Sequence, residues 1–329
     1  TRRQRQMCIR DRIRAFAAWQ VRQLARADAS HSDAAHDSGD APAPSLPGKE
    51  SGPIYLLDGY HGGIPYWDWL LLPHGGFWRK LLWPSVGEVI VRRAREARLP
   101  AVLEIDGYTY PAMASDQPQA FARLREVVDA GTIEVVNGTY TQPFLRSLSG
   151  ESVIRQFSHG LAAIEGTLGV AVSSYASQEP CFCAQLPQIL SGFGYQRALV
   201  RTHWAPFGEE AGHDRSLVRW QGPDGSVVLA VPRHTWMDYG TRRDLHPGAL
   251  RGNLTGSHTS QWDSDDLGRL RALAVEHGTD PPLLSKLEDL SPGESPTTNA
   301  LALAATPRVR LTTLSGYCRT ALGDREPED

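Results

Sequence analysis

The stretch Ser173–Trp204, SSYASQEPCFCAQLPQILSGFGYQRALVRTHW, decides the fold of this chain. It reads as strand, carboxylate, helix, strand, arginine. Ser173–Gln178 is short and β-compatible, and it follows the apolar pair Ala171-Val172. Glu179 stands at the strand's C-terminal edge. Pro180, which has no amide hydrogen to give to a ladder, stops the strand there. Cys183–Leu190 has a helical apolar rhythm, and the Gly192/Gly194 pair ends it. Arg197–Thr202 is a second strand, with Ala198, Leu199 and Val200 buried and Arg201 at its end. Two strands joined through a helix run parallel. A carboxylate and a guanidinium at the tops of such strands face one pocket, and in barrels built this way those ends carry the catalytic residues.

The same rhythm runs outward from this stretch. Upstream, Ile54–Leu57 is a fully apolar strand followed by Asp58, Gly59, Tyr60 and His61. A segment rich in tryptophan (Trp67, Trp69, Trp78, Trp83) comes next. Its rings offer flat faces to the C–H faces of sugars, and equally they fill cores. Pro84–Leu99 is an amphipathic helix with Val86, Val89, Ile90 and Ala94 inward and its arginines outward. Ala101–Ile105 is a strand ending at Asp106. Gln119–Ala130 is a helix closed by Gly131. Ile133–Val136 is a strand ending in Asn137-Gly-Thr-Tyr140, and Glu151–Leu168 is a helix closed by Gly169. Downstream, Leu217–Trp220 and Val227–Val231 flank Gly222-Pro-Asp-Gly225, which is a hairpin signal. Thr241–Ser264 reads as a polar loop over the site and Asp265–His277 as a helix. Leu283–Leu287 is a strand ending in Glu288-Asp289. A helix at Asn299–Ala305 and a strand at Arg308–Thr312 complete the series. Strands alternating with helices predict a parallel sheet. A (β/α)7-type barrel over residues 53–318 accounts best for the polar residue at each strand end. A doubly wound open sheet fits less well, because no glycine-rich phosphate loop follows the first strand.

Composition narrows the function. The chain has 329 residues, 41% apolar and 22% charged, with a net charge of −3. Without a basic excess, nucleic acid is not an expected partner. No apolar run reaches the roughly 18 residues of a membrane span, and no signal-peptide core is visible. The four cysteines (Cys8, Cys181, Cys183, Cys318) are too few for a disulfide scaffold and wrongly spaced for a structural zinc, so a reducing cytoplasm is expected. Residues 1–12 read as translated sequencing adaptor, and the rest of the leader to residue 52 as a disordered linker after a short helix. From Arg319 the tail is charged and expected to fray.

The strings Glu179-Pro180, Pro187-Gln-Ile-Leu190, Gly192-Phe193 and Arg201-Thr-His-Trp204 resemble the core of the class II α-mannosidases, glycoside hydrolase family 38. The pair Glu288-Asp289 followed by Thr313-Leu314 and Tyr317 resembles that family's later landmarks. The resemblance implies a retaining glycosidase acting on α-linked sugars by double displacement. It puts the nucleophile at Glu179, one methylene longer than the family's aspartate, and the acid/base at Asp289. Arg201 is implied to hold the nucleophile ionised. Carbohydrate is the implied partner. The strand ends Asp58, His61, Asp106, Asn137, Tyr140, His203, Trp204 and Glu288, together with Trp67 and Asp238, are the implied sugar-binding set.

The family's zinc site uses a His-x-Asp pair after the first strand, the nucleophile and a later histidine. Here His61 matches, position 63 is glycine, Glu179 replaces the aspartate, and the later histidine falls past Asp329. Zinc is therefore implied by resemblance with an incomplete ligand set centred on His61. The pairing of a glutamate nucleophile with an aspartate acid/base is also similar to glycoside hydrolase family 57, which needs no catalytic metal. Two alternatives stay open. A metal-dependent carbohydrate deacetylase needs an Asp/His/His set, of which His61 alone is well placed. A sugar-binding barrel that has lost its chemistry would account for the changes at Gly63 and Glu179.

Overall fold

The computed structural model describes residues 52–62, 88–177, 182–200, 217–232, 271–272, 275, 281–289 and 308–323. At its centre is β1 (Ile54–Gly62), whose nine residues are all buried. The strand runs past Leu57 because Asp58, Tyr60 and His61 find partners, so a mixed sequence is carried in a buried strand. Four further strands, β2 (Ala101–Ile105), β3 (Ile133–Val135), β8 (Leu283–Asp289) and β9 (Val309–Thr312), join it in the order β3-β2-β1-β8, with β9 against the first half of β1. All these pairings are parallel. The registers include His61 with Glu104, Tyr60 with Glu288, and His61 with Asp289.

A second sheet segment has the order β4 (Ser174–Ala176), β5 (Arg197–Val200), β7 (Val227–Pro232), β6 (Val218–Gln221). Its pairings are parallel except for the β6–β7 hairpin. The expected Gly222–Gly225 turn closes that hairpin: Gly225 has φ +86° and Ser226 N donates to Asp224 Oδ1 at 3.0 Å. A backbone hydrogen bond from Asn137 N to Ser174 O (3.3 Å) joins the end of β3 to β4.

Strand alternation gives the sheet two apolar faces, as parallel sheets require. Tyr55, Leu57, Val102, Val136, Ala176, Leu199, Val231 and Leu283 meet in one inner cluster with Leu314 and Tyr317. Residues from seven parallel strands or their ends can share one cluster only if the sheet curls around it. Among the described strands no pairing joins β6 or β7 to β8, so the described sheet is a curled parallel sheet rather than a closed ring.

The outer face packs under helices: α1 (Glu88–Glu96), α2 (Thr109–Asp116), α3 (Pro118–Asp129), α4 (Gly150–Leu168) and α5 (Leu186–Gly192). Their apolar sides, Ile90, Met113, Leu124, Phe157 and Leu190 among them, lie against Tyr60, Leu103, Val135 and Tyr175. Helix α4 follows its signals closely. Ser149 accepts from Ser152 N at its start, and Gly169 ends it in the left-handed conformation at φ +74°. Helix α2 was not expected; its mixed sequence TYPAMASD carries no amphipathic signature. The short α6 (Leu314–Tyr317) is tied to β3, since Glu134 Oε2 accepts from Ser315 N (2.9 Å) and Oγ (3.1 Å). Beyond it, Cys318–Leu322 forms a π-helical turn with Leu322 buried.

The outward arginine face expected of α1 is corrected at one residue. Arg93 is 1% exposed and points into the protein, ion-paired to Asp58. Burial works against its charge, but Asp58 and Tyr60 outweigh that and raise its pKa above the ordinary value. The leader, the tryptophan-rich segment, the loop at 241–264 and the helix at 299–305 lie outside the described residues.

A polar cleft at the carboxyl ends of the strands

The C-terminal end of β1 brings His61 to the inner face, one step above the apolar cluster. His61 is 3% exposed, and its Nδ1 lies 3.1 Å from Glu104 Oε2. A carboxylate can only accept, so Nδ1 carries the proton. Such a partner orients a histidine ring. The other carboxylate oxygen, Glu104 Oε1, accepts from Asn137 Nδ2 at 2.9 Å. Asn137 Oδ1 in turn accepts from Thr139 N at 3.3 Å. One histidine, one carboxylate and one carboxamide from three adjacent strands thus form a chain with fixed orientations.

The segment after β3 is shaped by its backbone. Asn137 (φ +72°), Gly138 (φ +92°) and Gln142 (φ +48°) all lie in the left-handed region. Asn tolerates that region, and glycine is required where a side chain would collide. A Cβ on Gly138 would sit 2.4 Å from Tyr195 Oη. Helix α4 approaches so closely through Gly160 that a Cβ there would be 2.1 Å from Gly138 O. Tyr195 Oη donates to Asn137 O, Gly107 N to Thr139 O (2.9 Å), Tyr140 N to Gln156 O (2.9 Å) and Gln142 Nε2 to Glu104 O (2.9 Å). These bonds hold the segment against β2 and α4.

Together these elements line a small cleft. His61 and Glu104 form one wall, and Asn137, Thr139 and Gln142 the next, with Pro143 and Leu145 beside them. Tyr175 and Ser177, at the end of β4, complete it. Ser177 is two residues before Glu179.

The expected site residues divide into four groups. His61 and Asn137 line the cleft. Asp106 is close by, 1% exposed, with Oδ1 accepting from Thr109 N (3.0 Å) and Thr109 Oγ1 (2.9 Å). Burial raises its pKa to about 7, against the opposing pull of those two hydrogen bonds and of the nearby His61. For Asp289 and Glu288 the strand is described: they end β8 in register with His61 and Tyr60. Two expected residues are engaged by other groups. Asp58 faces the helices, not the cleft, because strand alternation sends it to the side opposite His61. There it binds Arg93 and accepts from Tyr60 Oη at 3.0 Å. Tyr140 is half-buried and packs edge-on against Tyr108 (5.8 Å) and His159 (6.2 Å). Glu179, Arg201, Trp67, His203, Trp204 and Asp238 lie outside the described residues.

Glu104, Thr139, Gln142 and Ser177 were not anticipated. A signal for Glu104 was present. A strand buried on both faces reads as an unbroken apolar run, and a glutamate inside Ala-Val-Leu-Glu-Ile breaks it. Thr139 and Gln142 had no such signal, since their placement depends on the left-handed turns before them.

Zinc is implied by the resemblance. Among the described residues no three His, Cys, Asp or Glu side chains gather as a metal site requires. His61 with Glu104 does not by itself make up a zinc ligand set.

The fold and cleft define a class: a curled parallel α/β sheet with a polar site where its strands end. Residues 104–274, just over half of the 329, match the Glycosyl hydrolases family 38 N-terminal domain, and the chain belongs to that family. It is 32% identical over 117 residues to alpha-mannosidase 2C1 of Mus musculus and 28% identical over 122 residues to alpha-mannosidase G of Dictyostelium discoideum. These alignments take in 35% and 36% of this chain but only 11% of each relative, so the chain spans a small part of their length.

Three solved structures share the fold. The 4-alpha-glucanotransferase from Thermococcus litoralis has a TM-score of 0.59 at 15% identity, covering 82% of this chain and 40% of that one. An alpha-mannosidase from Enterococcus faecalis has 0.56 at 15%, covering 84% and 30%. TK1436, a GH57 branching enzyme from Thermococcus kodakaraensis, has 0.52 at 15%, covering 84% and 72%. Among the described residues no helix is long and apolar enough to cross a membrane.

Proposed function

We propose that this chain carries the catalytic barrel of a retaining glycoside hydrolase acting on α-linked sugars, mannosides first, in a reducing cytoplasm. The observation that carries the reading is the convergence at the cleft. Ser177, two residues before Glu179, lines it with His61, and His61 is in register with Asp289. The C-terminal ends of β4 and β8 therefore belong to the same edge of the sheet, which is where this reading needs its two acids to flank one glycosidic bond. Family membership and the two alpha-mannosidase relatives support the substrate class.

In this reading a carboxylate oxygen of Glu179 attacks the anomeric carbon. The C1–O bond to the leaving group breaks, and Asp289 gives its proton to the departing oxygen. A glycosyl ester on Glu179 results. Asp289 then takes a proton from water, the water oxygen bonds to C1, and Glu179 leaves as carboxylate. Arg201 keeps Glu179 ionised in this reading, and Trp67, Trp69, Trp78 and Trp83, without Tyr60, which is buried on the helix side, floor the sugar site. Among the described residues, His61, Glu104 and Asn137 form an ordered wall that holds its donors and acceptors in place without reorganisation.

The test is turnover of aryl α-mannosides and α-glucosides by the full chain, with and without added zinc, beside Glu179→Gln and Asp289→Asn. Each variant is expected to lose roughly 10²–10⁴-fold in kcat/KM. Proton NMR should show the product anomer retained. Full activity in either variant sinks the assignment.

A further inference from the structure

Two enclosed side-chain oxygens of residues that line the cleft are left without a hydrogen bond among the described residues. Thr139 is 2% exposed, yet its Oγ1 has no partner among the described residues. Gln142 Oε1 is likewise enclosed and without a partner. Both residues line the cleft. Buried polar atoms are nearly always paired, so two orphans in one opening ask for an explanation.

The surrounding bonds sharpen the point. Several groups beside them are engaged: Thr139 N with Asn137 Oδ1, Thr139 O with Gly107 N, and Thr141 N and Oγ1 with Gln156 Oε1 (2.9 and 3.2 Å). Gln142 Nε2 donates to the Glu104 carbonyl, and a carbonyl cannot donate back, so the amide cannot be flipped. Gln142 thus presents an acceptor, and Thr139 a hydroxyl that can donate or accept. Both stand on backbone fixed by left-handed turns at Asn137 and Gly138 and at Gln142 itself.

We infer that Thr139 Oγ1 and Gln142 Oε1 are a recognition pair for ligand hydroxyl groups. An acceptor that cannot be flipped selects an O–H donor, and a hydroxyl beside it suits a second O–H. That is the pattern of a pyranose edge, and it excludes an anion, which would meet the Gln142 carbonyl oxygen. The inference rests on the carbohydrate reading of this cleft and deepens it. It names residues that set which hydroxyls are read, apart from the acids that do the chemistry.

The test uses the full chain with methyl α-D-mannopyranoside and methyl α-D-glucopyranoside as probes. Binding is read by titration calorimetry, and stability by thermal unfolding. Thr139→Val removes the hydroxyl and keeps the shape; Thr139→Ser keeps the hydroxyl. Wild type and Thr139→Ser should bind the better glycoside within about twofold of each other. Thr139→Val should bind it about tenfold more weakly, the loss of one hydrogen bond. Its Tm without sugar should be unchanged or higher, since an unpartnered hydroxyl is gone, whereas a structural role for the hydroxyl predicts a lower Tm. If Thr139→Val binds both glycosides as wild type does, the pair is a solvent site only. The inference then falls while the glycosidase reading stands. If wild type binds neither glycoside, the inference also falls, and turnover sensitive to Glu179→Gln decides the other reading on its own.

Discussion

Asp106 should make this protein less stable as pH rises from about 4 to about 7. Its pKa is raised by burial from 3.8 to about 7 in the folded chain. Between those values the native state holds a proton that the unfolded chain has already released, so each step up in pH favours unfolding. The contribution of this group is intact below about pH 4, declines from there to about pH 7, and has reached its full cost by pH 8. The difference is about 3 units, which at 1.36 kcal/mol each comes to about 4 kcal/mol. Asp106→Asn isolates the effect. The amide oxygen can still accept from Thr109 N and Thr109 Oγ1, and it never ionises. Urea unfolding of both proteins at pH 4, 6 and 8 provides the measurement. The variant should be close to wild type at pH 4 and gain on it steadily, by about 4 kcal/mol at pH 8. Parallel stability profiles across that range would show that Asp106 is solvated in the native protein and that the reasoning from its burial is wrong.

Two further outcomes follow from packing and charge. Gly160→Ala puts a Cβ 2.1 Å from Gly138 O and 2.6 Å from Thr139 C. Helix α4 must then back away, at a cost of about 1–3 kcal/mol in urea unfolding. Gly166→Ala, on the same helix with nothing within 4 Å, should instead stabilise by about 0.5–1 kcal/mol. Arg93→Met strands the Asp58 carboxylate in the interior and should cost about 3–5 kcal/mol. Adding Asp58→Leu should recover most of that loss, and a double variant no better than the single would argue against an isolated pair.

The apolar runs and punctuation of this chain determined most of its elements. Ala101–Ile105 forms the strand that its sequence announces, Gly169 closes the helix before it, and Gly222–Gly225 turns the hairpin. These are local matters, settled by periodicity and by backbone freedom at a few glycines. The direction of the strands was also legible, because a helix between two strands leaves parallel pairing as the ready solution.

The assignment of faces was not legible. Asp58 and His61 are three residues apart and look equally like strand-end ligands. An odd separation in a strand sends them to opposite sides. His61 therefore meets Glu104 in the cleft, while Asp58 meets Arg93 under the helices. Arg93 looked like one member of a solvated cluster, and only a carboxylate waiting across the sheet makes its burial favourable.

The sequence by itself thus determined which segments are strands and helices, their direction, and the family to which they belong. The tertiary structure decided which polar residues share a cleft and which stay in the core. A side chain's partner 33 to 43 residues away depends on register and curl, and neither is encoded in the spacing of neighbours along the chain.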